Sequence, residues 1–95
     1  MSSAEKLLVQ GKFVDAKRTF ASEGNSKMAQ VCSEFIKSKR VIEQYKIGFD
    51  AAKRNKNRAT IANVLRDLDK YQKLYKEYGV EYSELETIIN NYKSI

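Results

Sequence analysis

The stretch Lys53-Arg54-Asn55-Lys56-Asn57-Arg58 decides the fold. On its N-terminal side, Met28, Val31, Phe35, Ser38, Ile42, Tyr45, Phe49 and Ala52 follow one another at alternating steps of three and four. That is a heptad seam along one helix face, with a gap only at Ser38. On its C-terminal side, Ile61, Val64, Leu68, Tyr71, Tyr75 and Tyr78 make a second seam, widened by Leu65 and Leu74. Running the first register forward places seam positions on Lys56, Ala59 and Asn63, which are poor core residues. The phase therefore slips between 53 and 60. A single helix through this region would have to carry the slip, whereas a turn removes it. The spacing predicts an all-α fold built on an antiparallel helical hairpin, about 27–53 and 59–78, with short flanking helices. Residues 53–58 form its tip, and Asn57 or Thr60 caps the second helix.

The flanks follow from local signals. Ser2-Ser3-Ala4-Glu5 reads as a capping box, with a short helix behind it carrying Leu7, Leu8 and Val9 and ending at Gly11. Phe13, Ala16 and Phe20 share one face of a second helix from about Lys12 to Ser22, and Ser26 is the expected N-cap of the first long helix. Gly79 ends the second long helix. Ser83-Glu84-Leu85-Glu86 reads as another capping box, before a last helix whose Leu85, Ile88, Ile89 and Tyr92 should pack on the hairpin. Five helices in one domain, residues 1–95, are expected. Gly48, inside the first seam, marks a close approach, a slight kink or neither.

The run Gly11-Lys12-Phe13-Val14-Asp15-Ala16-Lys17-Arg18-Thr19-Phe20 resembles one fragment of the tetratricopeptide repeat, in its Gly-x-aromatic-x-x-Ala-x-x-x-aromatic pattern. The resemblance implies a tight helical corner, where Gly and Ala allow close approach and the aromatics fill the gap. No second copy follows at the roughly 34-residue period that stacking repeats require.

Composition narrows the function classes. The chain has 95 residues, 42% of them hydrophobic, no proline and four glycines, which suits long uninterrupted helices. No apolar run reaches the roughly 18 residues of a membrane span, and the first residues lack the form of a secretory signal. A single cysteine forms no internal disulfide, so a reducing, cytoplasmic setting is expected. There is no histidine, which removes the commonest general base and most zinc and haem ligation. No Gly-rich phosphate loop or calcium-loop pattern is present. Nothing in the spacing asks for catalysis, a cofactor, a metal or a small-molecule substrate.

The charge is informative. The net charge is +6, and residues 37–58 carry eight Lys/Arg against only Glu43 and Asp50. Lys39, Lys46 and Lys53 recur every seven residues beside Arg40, and this ridge leads to Arg54, Lys56 and Arg58 at the tip. The pairs Lys39–Glu43, Lys46–Asp50 and Asp50–Arg54 are spaced for intrahelical ion pairing on a solvated face. The tip alone lacks nearby carboxylates. The expected function is non-catalytic nucleic-acid binding, RNA or DNA, through the phosphate backbone, with Lys39, Arg40, Lys46, Lys53, Arg54, Lys56 and Arg58 as contacts. No recognition-helix or RNA-motif signature points to base-specific reading. The alternative is a protein-interaction module, an adaptor or inhibitor docking the basic tip on an acidic partner. Two heptad seams would also suit a four-helix homodimer, which would double the tips. Tyr71, Tyr75 and Tyr78 read as packing residues, because their neighbouring lysines fall on other faces. Cys32 reads as a small, half-buried apolar side chain.

Overall fold

The computed structural model describes residues 2–95, and among them the only regular elements are six helices. They are α1 (Ser3–Val9), α2 (Phe13–Ser22), α3 (Ser26–Ile47), α4 (Phe49–Asn55), α5 (Arg58–Glu77) and α6 (Ser83–Lys93). The fold is all-α, and α3–α4 pairs with α5 as an antiparallel hairpin. Ser38 meets Tyr75, Tyr45 meets Asp67 and Phe35 meets Tyr78. Each pair straddles the Lys56–Asn57 junction almost symmetrically. The two seams thus pair about the point where their phases part.

The sixth helix comes from Gly48. It sits at φ −80°, ψ −1°, between the end of α3 and the start of α4. In an unbroken helix the Phe49 amide would take the carbonyl of Tyr45. Here the Tyr92 hydroxyl donates to that carbonyl at 2.5 Å. A Cβ added at Gly48 would meet only the Gln44 carbonyl oxygen, at 3.2 Å, from its own preceding turn. No other helix approaches it, so the glycine marks a kink.

The core lies along the seams. Phe35, Ile42, Leu68 and Cys32 are fully buried, and so is Ser38. Ser38 therefore does not leave a gap in the seam: its hydroxyl donates to the Phe35 carbonyl at 2.8 Å and lies 2.9 Å from the Tyr75 hydroxyl. Cys32 is more deeply buried than its position in the pattern suggests.

Two caps cover this core. The α1–α2 corner closes one end. Phe13 stacks on Phe35 with ring centres 4.9 Å apart, and Ala4 and Ala16 are fully buried, as small residues are where helices approach closely. Gly11, at φ +81°, makes the corner, closed by a bond from the Lys12 amide to the Leu7 carbonyl at 2.9 Å. On one side of the hairpin lies α6, parallel to α3. Its Leu85, Ile88, Ile89 and Tyr92 are all buried. The Tyr82 hydroxyl donates to Glu43 at 2.9 Å, Lys46 pairs with Glu84 at 2.6 Å, and the Tyr92 ring meets those of Tyr45 and Phe49.

Two expected caps differ. Asn25, not Ser26, caps α3, its side chain accepting the Met28 amide at 3.1 Å. Tyr82 occupies the N-cap position of α6 and makes no side-chain cap bond, so Ser83 is the first helical residue and no capping box forms. The molecule measures 47 × 19 × 18 Å. No helix among the described residues is long and apolar enough to cross a membrane.

Candidate functional site

Beyond α6 the hairpin continues as two helices alone. No residue of α4 is buried, and every residue from 53 to 60 is exposed. Asn55 ends α4, and Lys56 turns the chain at φ +51°, ψ 34°. Asn57 then opens α5, its side-chain oxygen accepting the Thr60 amide at 3.1 Å. The helix dipoles oppose one another here, since α4 ends where α5 begins. The potential at the tip is therefore set by Lys53, Arg54, Lys56 and Arg58. All four are exposed, and none takes part in an ion pair, those among the described residues being Lys46–Glu84 and Asp69–Lys73.

The structure divides the seven sequence-derived contacts. The four tip residues come together. Lys46 instead reaches α6, and Lys39 lies between the α2–α3 groove and the α6 segment. Lys46 is bound to Glu84, whose hydrogen bond and charge raise the ammonium pKa, with Glu43 adding to the shift. Lys39 borders a depression shared with Glu43, Glu81 and Glu84. The intrahelical pairs expected from spacing do not form: Glu43 accepts from Tyr82, and Lys46 reaches across to α6. Arg40 borders the α2–α3 groove with Val14 and Ile36, and Lys39 and Glu43 line that groove too. The positive surface is thus a compact tip, and the ridge leading to it is partly neutralised by Glu43, Glu81 and Glu84.

Tyrosines hold the body that carries this tip. Tyr45 donates to Asp67 at 2.5 Å, and its pKa is pushed well up by burial first and by that bond second. Tyr75 is buried, with Phe35 and Tyr82 against it edge-on. These rings are packing residues, as the spacing indicated. A groove between α3 and α5 carries Lys37, Arg66, Lys70 and Lys73 together with Glu34, Asp69 and Glu77, so its charges nearly cancel.

One feature is not legible in the sequence pattern. At the base of the tip, α4 and α5 stand apart around a cleft of about 460 Å³. Gly48, Ala51 and Ala52 line one side, Ile61 and Val64 the other, with Tyr45 and Tyr92 also in the lining. The available signal was the run of small residues at 48, 51 and 52, placed across the hairpin from branched ones. Comparison with protein-family models, curated proteins and solved structures finds no match to this chain.

Proposed function

We propose that this chain is a small non-catalytic nucleic-acid-binding protein that holds the phosphate backbone with the tip of its hairpin. The observation that carries the reading is the group Lys53, Arg54, Lys56 and Arg58, exposed and without carboxylate partners at the end of a two-helix projection. Lys56 adds to it. Left-handed backbone at the ends of α1, α2 and α5 is occupied by Gly11, Gly24 and Gly79, which adopt it without steric cost. The tip alone puts a lysine there, at a cost of about 1 kcal/mol. A strained, exposed cation is what a charge-dependent contact would retain. Contacts of this kind to the phosphate backbone do not depend on base sequence. A reducing cytosol suits the lone thiol, and pairing of two copies would raise avidity by presenting two tips.

Titration of fluorescent DNA and RNA of unrelated sequence tests this. Binding through about four phosphates gives a log K against log salt slope of roughly −3 to −4. Arg54→Glu with Arg58→Glu should weaken all sequences together, by about tenfold or more. Lys56→Gly should stabilise the fold by about 0.5–1 kcal/mol while flattening the salt slope by nearly one unit. A slope near zero would overturn the reading.

A second reading, docking on an acidic protein surface, is favoured by Ile47. It is 80% exposed and lies seven residues from both Arg40 and Arg54, on one line of the α3–α4 surface. An apolar side chain flanked by arginines suits an acidic helix with one apolar anchor. Affinity capture from lysate separates the two: partners lost on nuclease treatment support nucleic acid, and one stoichiometric protein that persists supports docking.

A further inference from the structure

The cleft at the base of the tip has a composition unlike the rest of the surface. The chain is 32% charged, yet no residue lining this cleft carries a charge. Its walls are apolar: Ala51 and Ala52 on α4 face Ile61 and Val64 on α5. Its rim is polar and neutral, made of Gln44, Asn55, Asn57 and Thr60. Amides and a hydroxyl both donate and accept, so they match a group with a mixed hydrogen-bonding edge. The Asn57 oxygen is held by its cap bond to Thr60, which leaves its amide N–H groups to donate.

The four tip cations alternate with this lining along the chain. Lys53 follows Ala52, Arg54 precedes Asn55, Lys56 separates Asn55 from Asn57, and Arg58 follows Asn57. The cations share the end of α4, the turn and the start of α5 with the rim residues Asn55 and Asn57, so the charged tip lies immediately beyond the neutral slot. A ligand that satisfies both parts has a neutral planar group with polar edges, attached to a chain of anions. An acyl chain with an anionic head would gain nothing from the amide rim.

Resting on the phosphate reading above, we infer that the cleft takes one unpaired base of a single-stranded polynucleotide whose phosphates lie on Lys53, Arg54, Lys56 and Arg58. The ring slides between the alanine and branched walls, and the rim residues meet its edge. A volume of about 460 Å³ accommodates a purine or a pyrimidine, so the slot is tolerant of base identity. A duplex would first have to unstack a base, which makes single strands the preferred substrate.

The test compares three probes on the full chain at one salt concentration: a short single strand of mixed sequence, an abasic strand of equal length, and a duplex. The base-bearing strand should bind about tenfold tighter than the abasic one, as burial of one base between apolar walls allows. Ala51 is exposed, so Ala51→Leu fills the slot without entering the core and without adding an aromatic face on which a base could stack. That variant should bring the base-bearing strand down to the abasic level and leave the abasic affinity unchanged. An independent readout needs no variant: a 2-aminopurine in the strand should change its emission on binding to the unaltered chain. Equal affinity for base-bearing and abasic strands overturns the base slot and leaves the phosphate contact standing. A duplex bound as tightly as the single strand overturns it as well, as does an Ala51→Leu chain that keeps the preference. If none of the three probes binds, both readings fall.

Discussion

Ser38 occupies the seam position where the heptad pattern lapses, yet it is fully buried. Its hydroxyl donates to the Phe35 carbonyl, so the proton shared with Tyr75 comes from the tyrosine. This makes the pair unequal. Ser38→Ala strands the Tyr75 hydroxyl inside the core and should cost about 1–3 kcal/mol. Tyr75→Phe leaves Ser38 bonded to Phe35 and should cost about 1 kcal/mol or less. The double variant should be less destabilised than the sum, because no stranded group remains; urea unfolding of the four proteins measures all three terms. An apolar period cannot show such a bond. It counts side chains along one helix, and the hydroxyl that satisfies Ser38 arrives from 37 residues away. Cys32 was under-read for a related reason. It lies one position beyond the seam residue Val31, and its burial is decided by contacts with other parts of the core.

At the scale of the element, helix existence was legible and helix ends were less so. The seams located the two arms of the hairpin, α3–α4 taken as one helix and α5, to within a few residues, because a long apolar stripe is a repeated signal. A cap depends on which one of several adjacent polar residues takes a non-helical backbone. Asn57 does so, at φ −75°, ψ 108°, and its side chain bonds the Thr60 amide. Ser83 does not, although its Ser-x-x-Glu spacing is right; Tyr82 holds the cap position at φ −146°. The two sites give a matched prediction. Asn57→Ala should destabilise the fold by about 1 kcal/mol, while Ser83→Ala should stay within about 0.5 kcal/mol of the parent, both read from the urea midpoint. Gly48 was visible as an anomaly, but its effect was not. The kink is tied to the hydroxyl of Tyr92, supplied by the last helix. The cleft below the tip was hidden for the same kind of reason, since it is a distance between α4 and α5 and belongs to neither alone.

Over the whole molecule, the pattern gave the hairpin and its basic tip. It overstated the ridge, because the carboxylates that face Lys39 and Lys46 come from the segment around α6. That same docking sets the response to pH. Tyr45, Tyr71, Tyr75, Tyr82 and Tyr92 all have pKa values raised, with burial the leading cause in each. Tyr45 and Tyr82 also donate to Asp67 and Glu43, so ionising either phenol would set two negative charges side by side. The buried Cys32 thiol is shifted up too, and Lys46 is raised by Glu84. For every one of these groups the folded state keeps its proton to higher pH than the unfolded chain. Their contribution is therefore complete at neutral pH and is lost as pH rises past the unfolded values, near 9 for the thiol and near 10 for the phenols. With no histidine to titrate near neutrality, the urea midpoint should be flat from about pH 6 to 8.5 and fall steadily above about pH 10. Tyr82→Phe removes one phenol from this set, so its alkaline decline should be shallower than that of the parent. A midpoint that holds to pH 11, or a Tyr82→Phe chain that declines as steeply as the parent, would show that these phenols do not link α6 to the hairpin.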